Sequence, residues 1–121
     1  KGDKGKAIGL YLEALKISPN FEESRLNLAA IYFNDKEFEK AFQMIDKINI
    51  DSTNSRYKMF LVPILTRELN RILKANANDE LSKRMAEHIT SGKKIVQLYF
   101  DSKKNKSDFR NFVLNPGLVV K

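Results

Sequence analysis

Apolar residues return at helical spacing along the whole chain, and breaks in that rhythm mark out the elements. Ala7, Ile8, Tyr11, Leu12, Ala14 and Leu15 keep one face apolar, which predicts a helix from about Gly5 to Ile17 with Gly2-Asp3 as the turn before it. Ser18-Pro19-Asn20 closes it, because the residue before a proline avoids the α region. Asn20 stands where a cap belongs, with Glu23 three residues on as in a capping box, so a second helix is expected from there to about Phe33 through Leu26, Leu28, Ala29, Ile31 and Tyr32. After the turn Asn34-Asp35-Lys36, a third helix is expected from about Glu37 to Ile48 through Phe38, Ala41, Phe42 and Ile45. Asp51-Ser52-Thr53-Asn54 reads as a polar connection rich in capping residues.

The second half follows its own pattern. Phe60, Leu61, Ile64, Leu65, Leu69, Ile72 and Leu73 predict a long helix from Ser55 to Ala75, with a kink or break near Phe60–Leu61 caused by Pro63. Asn76–Asp79 is a turn, capped by Asn78 or Asp79. Leu81, Met85, Ile89, Ile95, Val96 and Tyr99 predict a partner helix from about Glu80 to Asp101, with Ser91-Gly92 as a weak point that splits it or costs about 1 kcal/mol relative to alanine. Lys103–Ser107 is expected to be a solvated loop, Asp108–Leu114 a short last helix, Asn115-Pro116-Gly117 a turn, and Leu118–Val120 extended.

One stretch repeats. Ala7, Tyr11 and Ala14 have the spacing of Ala41, Ile45 and Ile48, 34 residues later, and Leu28-Ala29-x-x-Tyr32 lies between them. Small, aromatic and aliphatic residues in these slots with this period resemble the tetratricopeptide repeat family. The resemblance covers residues 2–50, half a repeat plus a whole one. Departures are Lys36 in the slot of Gly2 and Thr53 in the slot of Pro19. Beyond residue 55 the echo is lost, with Val62, Pro63 and Thr66 in the slots of Leu28, Ala29 and Tyr32.

The resemblance implies an all-α fold, a right-handed α-solenoid of antiparallel helix hairpins. Its repeats would fill residues 1–54, and residues 55–121 would form a divergent hairpin and capping tail of the same domain. It also implies a non-catalytic scaffold for a protein or peptide ligand. In the family the first helix of each hairpin lines the inner wall. Carried onto this chain, that wall holds Glu23, Asn27, Ala30, Phe33 and Asn34, extended by Tyr57, Phe60, Leu61, Ile64 and Arg67 if the stack continues. Asn27 matches the asparagine with which chaperone-binding members hold a peptide, but Leu26 and Ala30 are not the basic residues that such members place beside it. The last helix, with Phe109, Phe112, Val113 and Leu114, either leaves that groove open or folds back into it.

Composition narrows the chemistry. With 121 residues, 42% of them hydrophobic, the chain has enough for one domain with a core. It has no cysteine, so disulfides, thiolate metal sites and a cysteine nucleophile are excluded. His88 is the only histidine, and it reads as a packing residue. Gly2-x-x-Gly5 lacks the rest of a phosphate loop. Neither a cofactor nor a metal is expected. No run of 18 apolar residues occurs, and both a cytoplasmic and a periplasmic setting fit.

Charge divides the chain. Residues 1–55 hold eight Lys/Arg and nine Asp/Glu, whereas residues 56–121 hold fourteen and six, out of a net charge of +7. Arg67, Arg71, Lys74, Lys83, Arg84, Lys93 and Lys94 begin a basic surface that suits an acidic partner, with anionic surfaces or nucleic acid as a subordinate alternative. Because the pattern opens in mid-repeat, we expect a C-terminal piece of a longer protein. One version is a soluble tail of a bacterial membrane or envelope protein such as a polysaccharide-assembling ligase. The first helix should then expose Ile8, Leu12 and Leu15 for upstream residues, or a second copy, to cover.

Overall fold

The computed structural model describes residues 2–76 and 91–114, and these are helical throughout apart from turns and connections. In chain order the helices are α1 (Gly2–Ile17), α2 (Glu22–Asn34), α3 (Phe38–Asp46), α4 (Ser55–Ala75), α5 (Gly92–Lys104) and α6 (Phe109–Leu114). No strand occurs among the described residues. The chain divides into two compact units, residues 1–60 and 61–121, with the boundary inside α4.

In the first unit, α2 packs against both α1 and α3. Its sequence suits that central place. Ser24, Leu26, Leu28, Ala29 and Tyr32 are buried, and at 100° per residue they cover an arc of about 200°, wider than one neighbour needs. Ala29 and Ala41 are fully buried, so small side chains stand at the buried helix contacts. Phe42, Ile45, Ile48 and Tyr57 complete this core. The Phe33 and Phe38 rings meet edge to face at 5.2 Å across the α2–α3 turn.

That turn is set by its hydrogen bonds. Lys36 N–H donates to Phe33 O (3.0 Å) and Glu37 N–H to Tyr32 O (2.8 Å), the paired bonds of a Schellman ending. Lys36 takes the left-handed conformation at φ 63°, a place that favours glycine. The same device ends α5: Lys106 (φ 53°) donates to Lys103 O (3.0 Å), and Ser107 N–H to Ser102 O (2.9 Å).

In the second unit the core is Leu61, Ile64, Leu65, Leu69 and Ile72 of α4, Ile95 and Tyr99 of α5, and Phe109, Phe112 and Val113 of α6. α5 packs on α6, with the Tyr99 and Phe109 rings edge to face at 5.5 Å. Ser102 is small enough to be fully buried, and its hydroxyl donates back to Tyr99 O at 2.7 Å. Glu68, a buried carboxylate, accepts two bonds from Arg71, at 2.9 and 2.8 Å.

Several expectations are corrected. α1 begins at Gly2, so Gly2-Asp3 is its first turn rather than the turn before it. α2 has Phe21 at its cap position with no side-chain cap bond, and Asn20 and Glu23 form no capping box; Glu23 is held by other partners. α3 ends at Asp46, short of Ile48. α4 runs unbroken through Pro63. Pro63 and Met59, whose carbonyl loses its donor there, lie on the exposed side of the helix, where water can take the freed bond. Ser91-Gly92 is a helix start. Ser91 caps α5 by accepting from Lys94 N–H (3.3 Å), and a Cβ on Gly92 would lie 2.7 Å from Val62 Cγ1. α5 continues to Lys104, which shortens the expected Lys103–Ser107 loop. The turn at 77–79, the helix expected from Glu80 to 90, His88, and the 115–121 tail lie outside the described residues.

Candidate functional site

On α2, residues 23, 27, 30 and 34 recur every three or four positions and form one stripe on the side away from the buried arc. Glu23 and Asn34 are exposed, and Asn27 and Ala30 half-buried. Phe33, expected on the same wall, instead lies within the buried arc, between Ala29 and Leu26 in angle, where it is half-buried against Phe38 because α3 packs there. Four of the five expected residues therefore share one side of one helix, and Phe33 does not.

The stripe is organised by a residue that sequence reasoning did not single out. Arg56, in the first turn of α4, donates from Nη1 to Glu23 Oε1 (2.9 Å) and from Nη2 to Asn27 Oδ1 (2.9 Å). Its guanidinium carbon sits 5.6 Å from the centre of the Phe60 ring. Asn54 supports the group from both directions. Its Nδ2 donates to Glu23 Oε2 (2.8 Å), and its Oδ1 accepts Arg56 N–H (2.9 Å), which caps α4. Ser52 Oγ donates to Glu22 Oε1 (2.7 Å). The pair Glu22-Glu23 thus ties the α3–α4 connection to the start of α2, besides suiting that helix's dipole. A period of 34 could have pointed to Arg56, since it lies in the slot of Glu22 one repeat on.

The other expected wall residues are placed differently. Tyr57 is 1% exposed, Leu61 4% and Ile64 2%, so they are core residues and offer no side chain to a partner. The polar face narrows the reason: α4 carries an apolar stripe wide enough to fill a core, and a core takes it first. Phe60 is half-buried and Arg67 exposed. Tyr57 has no hydrogen-bond partner for its hydroxyl. Burial, then the nearby charges of Asp46 and Glu22, push its phenol up to about 12.

Of the basic residues, Lys74, Lys93 and Lys94 are exposed, and Arg71 is exposed but spends bonds on Glu68. Lys83 and Arg84 lie outside the described residues. A separate polar cleft of about 480 Å³ is lined by Asn20, Glu22, Arg25, Lys47, Ile48 and Asn49, with Arg25 held by Pro19 O at 3.1 and 3.0 Å. Among the described residues no group of His, Asp or Glu stands together as a metal site, and no helix is long and apolar enough to cross a membrane.

α1 is the unfinished side of the first unit. None of its residues from 3 to 17 is buried, and Leu10 (71%), Leu12 (42%) and Ile17 (81%) are well exposed. Ile8 and Leu15, expected to be open, are half-buried, and Leu12 is the exposed member of that trio.

Residues 10–43, one full period through α1, α2 and α3, match the family model of the tetratricopeptide repeat. No curated protein and no solved structure matches the chain.

Proposed function

We propose, from a tetratricopeptide repeat spanning residues 10–43, that this chain is a non-catalytic scaffold that binds a protein or peptide on the outward side of α2. The observation that carries the reading is the ordered polar stripe: Glu23 and Asn27 are fixed by Arg56 and Asn54, while Ala30 and Asn34 leave the rest of the side low and accessible. A pre-ordered surface loses less entropy on binding than a mobile one. Family membership of the repeat supports a protein ligand, since such repeats are interaction modules. The docking residues are Glu23, Asn27, Ala30 and Asn34, with Arg56 and Phe60 at the edge.

Selection from a random linear-peptide display library tests it. Wild type should enrich a sequence family that Asn27→Ala plus Phe60→Ala no longer enriches, with circular dichroism showing the variant still folded. Equal enrichment by the folded variant contradicts the choice of side.

The bare apolar flank of α1 at Leu10 and Ile17 supports a second element of the reading: another helix covers these two residues, supplied either by chain preceding Lys1 or by a second copy. Light scattering over a concentration series, on this chain and on a version extended upstream, separates the two. A chain that is monomeric in both forms, with Leu10 and Ile17 freely accessible to solvent probes in both, overturns it.

A further inference from the structure

The contacts around Arg56 bear on what kind of peptide the α2 side accepts, and the inference rests on the binding role proposed above. We infer that Glu23 makes this side select an extended peptide bearing a Lys or Arg and reject one that anchors through a carboxylate.

Both terminal nitrogens of the guanidinium are engaged within the protein. One nitrogen holds Glu23 and another Asn27, each at 2.9 Å, and Phe60 lies against its face. Glu23 therefore already occupies the Nη1 side of the guanidinium, where it meets an incoming ligand carboxylate. A peptide carboxylate must displace a like charge that is tethered a second time, through Asn54 at 2.8 Å. That is repulsion built into the surface, the element that converts affinity into discrimination. The carboxylate of Glu23 is half-exposed, so its outer lone pairs remain open to a cation brought by the ligand.

Asn27 adds the second half of the specificity. A guanidinium has only donors, so the Asn27 atom facing Arg56 must be the carbonyl oxygen. The amide nitrogen is thereby turned away from Arg56, and among the described residues it has no acceptor. Two N–H donors remain for a main-chain carbonyl. A donor pair for peptide backbone beside an acceptor for a basic side chain describes the ligand: a linear segment with Lys or Arg next to the docked peptide unit. Arg56 acts here as a positioning residue, holding both partners in register.

The same display selection, run on the full chain as wild type and as Glu23→Gln, reads this out. Wild type should enrich Lys or Arg over Asp or Glu at one peptide position. Two synthetic peptides differing only by Lys or Glu there should differ about fivefold in Kd, the size an exposed ion pair supports, with the gap closing at high salt. Glu23→Gln releases the Arg56 charge and should reverse the preference. Enrichment of acidic or charge-indifferent peptides by wild type, or an unchanged preference in Glu23→Gln, overturns the inference while leaving the binding role intact. Enrichment of no peptide by wild type overturns the binding role and the inference together.

Discussion

α1 and α3 carry the same residue pattern 34 positions apart and end up in opposite situations. Ala41, Phe42 and Ile45 of the second, and Ile48 just past its end, are buried. Their counterparts 34 residues earlier, Ala7, Ile8, Tyr11 and Ala14, are only half-buried. The local pattern is alike, so helix formation is alike. What differs is burial: both helices pack on α2, but α3 does so through buried side chains while no residue of α1 from 3 to 17 is buried. A repeat unit owes its stability to its neighbours more than to its own sequence. α1 also departs from α3 in a telling way. It has Leu12, Leu15 and Ile17 where the residues 34 positions on are Asp46, Asn49 and Asp51, so its surface is the more apolar of the two.

The contrast is broken most directly by truncation at one slot in both repeats. Ile45→Ala removes a fully buried side chain and should cost about 3 kcal/mol in urea denaturation. Tyr11→Ala, its counterpart, should cost about 1 kcal/mol or less. Equal costs would mean that α1 is as firmly packed as α3.

A second pair of equivalent slots sharpens the point, since Glu23 is exposed and Tyr57, one period on, is buried. The folded phenol holds its proton up to about 12, against about 10 in an unfolded chain. Stability should thus be intact below pH 10 and fall by roughly 2–3 kcal/mol as pH rises through 12. Tyr57→Phe should remove that contribution, and at neutral pH it should be neutral or stabilising, because the hydroxyl has no partner to lose. Denaturant midpoints at pH 7 and pH 11 check both statements. An unchanged pH response in the variant would contradict the burial of this side chain.

Turns give a smaller effect, of equal size in the two units. Lys36→Gly and Lys106→Gly each relieve a left-handed residue at a helix end, and each should raise stability by up to about 1 kcal/mol after the loss from a looser unfolded chain. Smallest of all, Leu10→Gln, Leu12→Gln and Ile17→Gln together should alter the stability of the isolated monomer by no more than about 0.5 kcal/mol. A large loss in the monomer would show those side chains to be packed.

Much of this architecture can be read from residue spacing. The bounds Ser55–Ala75 follow from the apolar stripe, and the close-packed Ala29 and Ala41 from the 34-residue echo. Ends are harder, because they depend on which side chain reaches an orphan amide: Phe21 rather than Asn20 stands at the start of α2. The wall is harder still. Periodicity places Glu23, Asn27, Ala30 and Asn34 on one side, since that follows from helix geometry alone. It does not separate Phe60 from Leu61 and Ile64, because a docking residue and a core residue look the same in sequence. Spacing places Arg56 in the slot of Glu22 but does not reveal its role, which lies in contacts to residues about thirty positions away.

The central claim is that the α2 stripe is where the ligand sits. Resonance shifts of the folded chain, titrated with the peptide that selection enriches, test it with least inference. We predict perturbation of the Asn27 side-chain amide and of Glu23, Ala30, Asn34 and Arg56. Saturating binding that leaves the Asn27 amide unmoved, with shifts confined to Leu10, Leu12 and Ile17 or to Lys93 and Lys94, would contradict it.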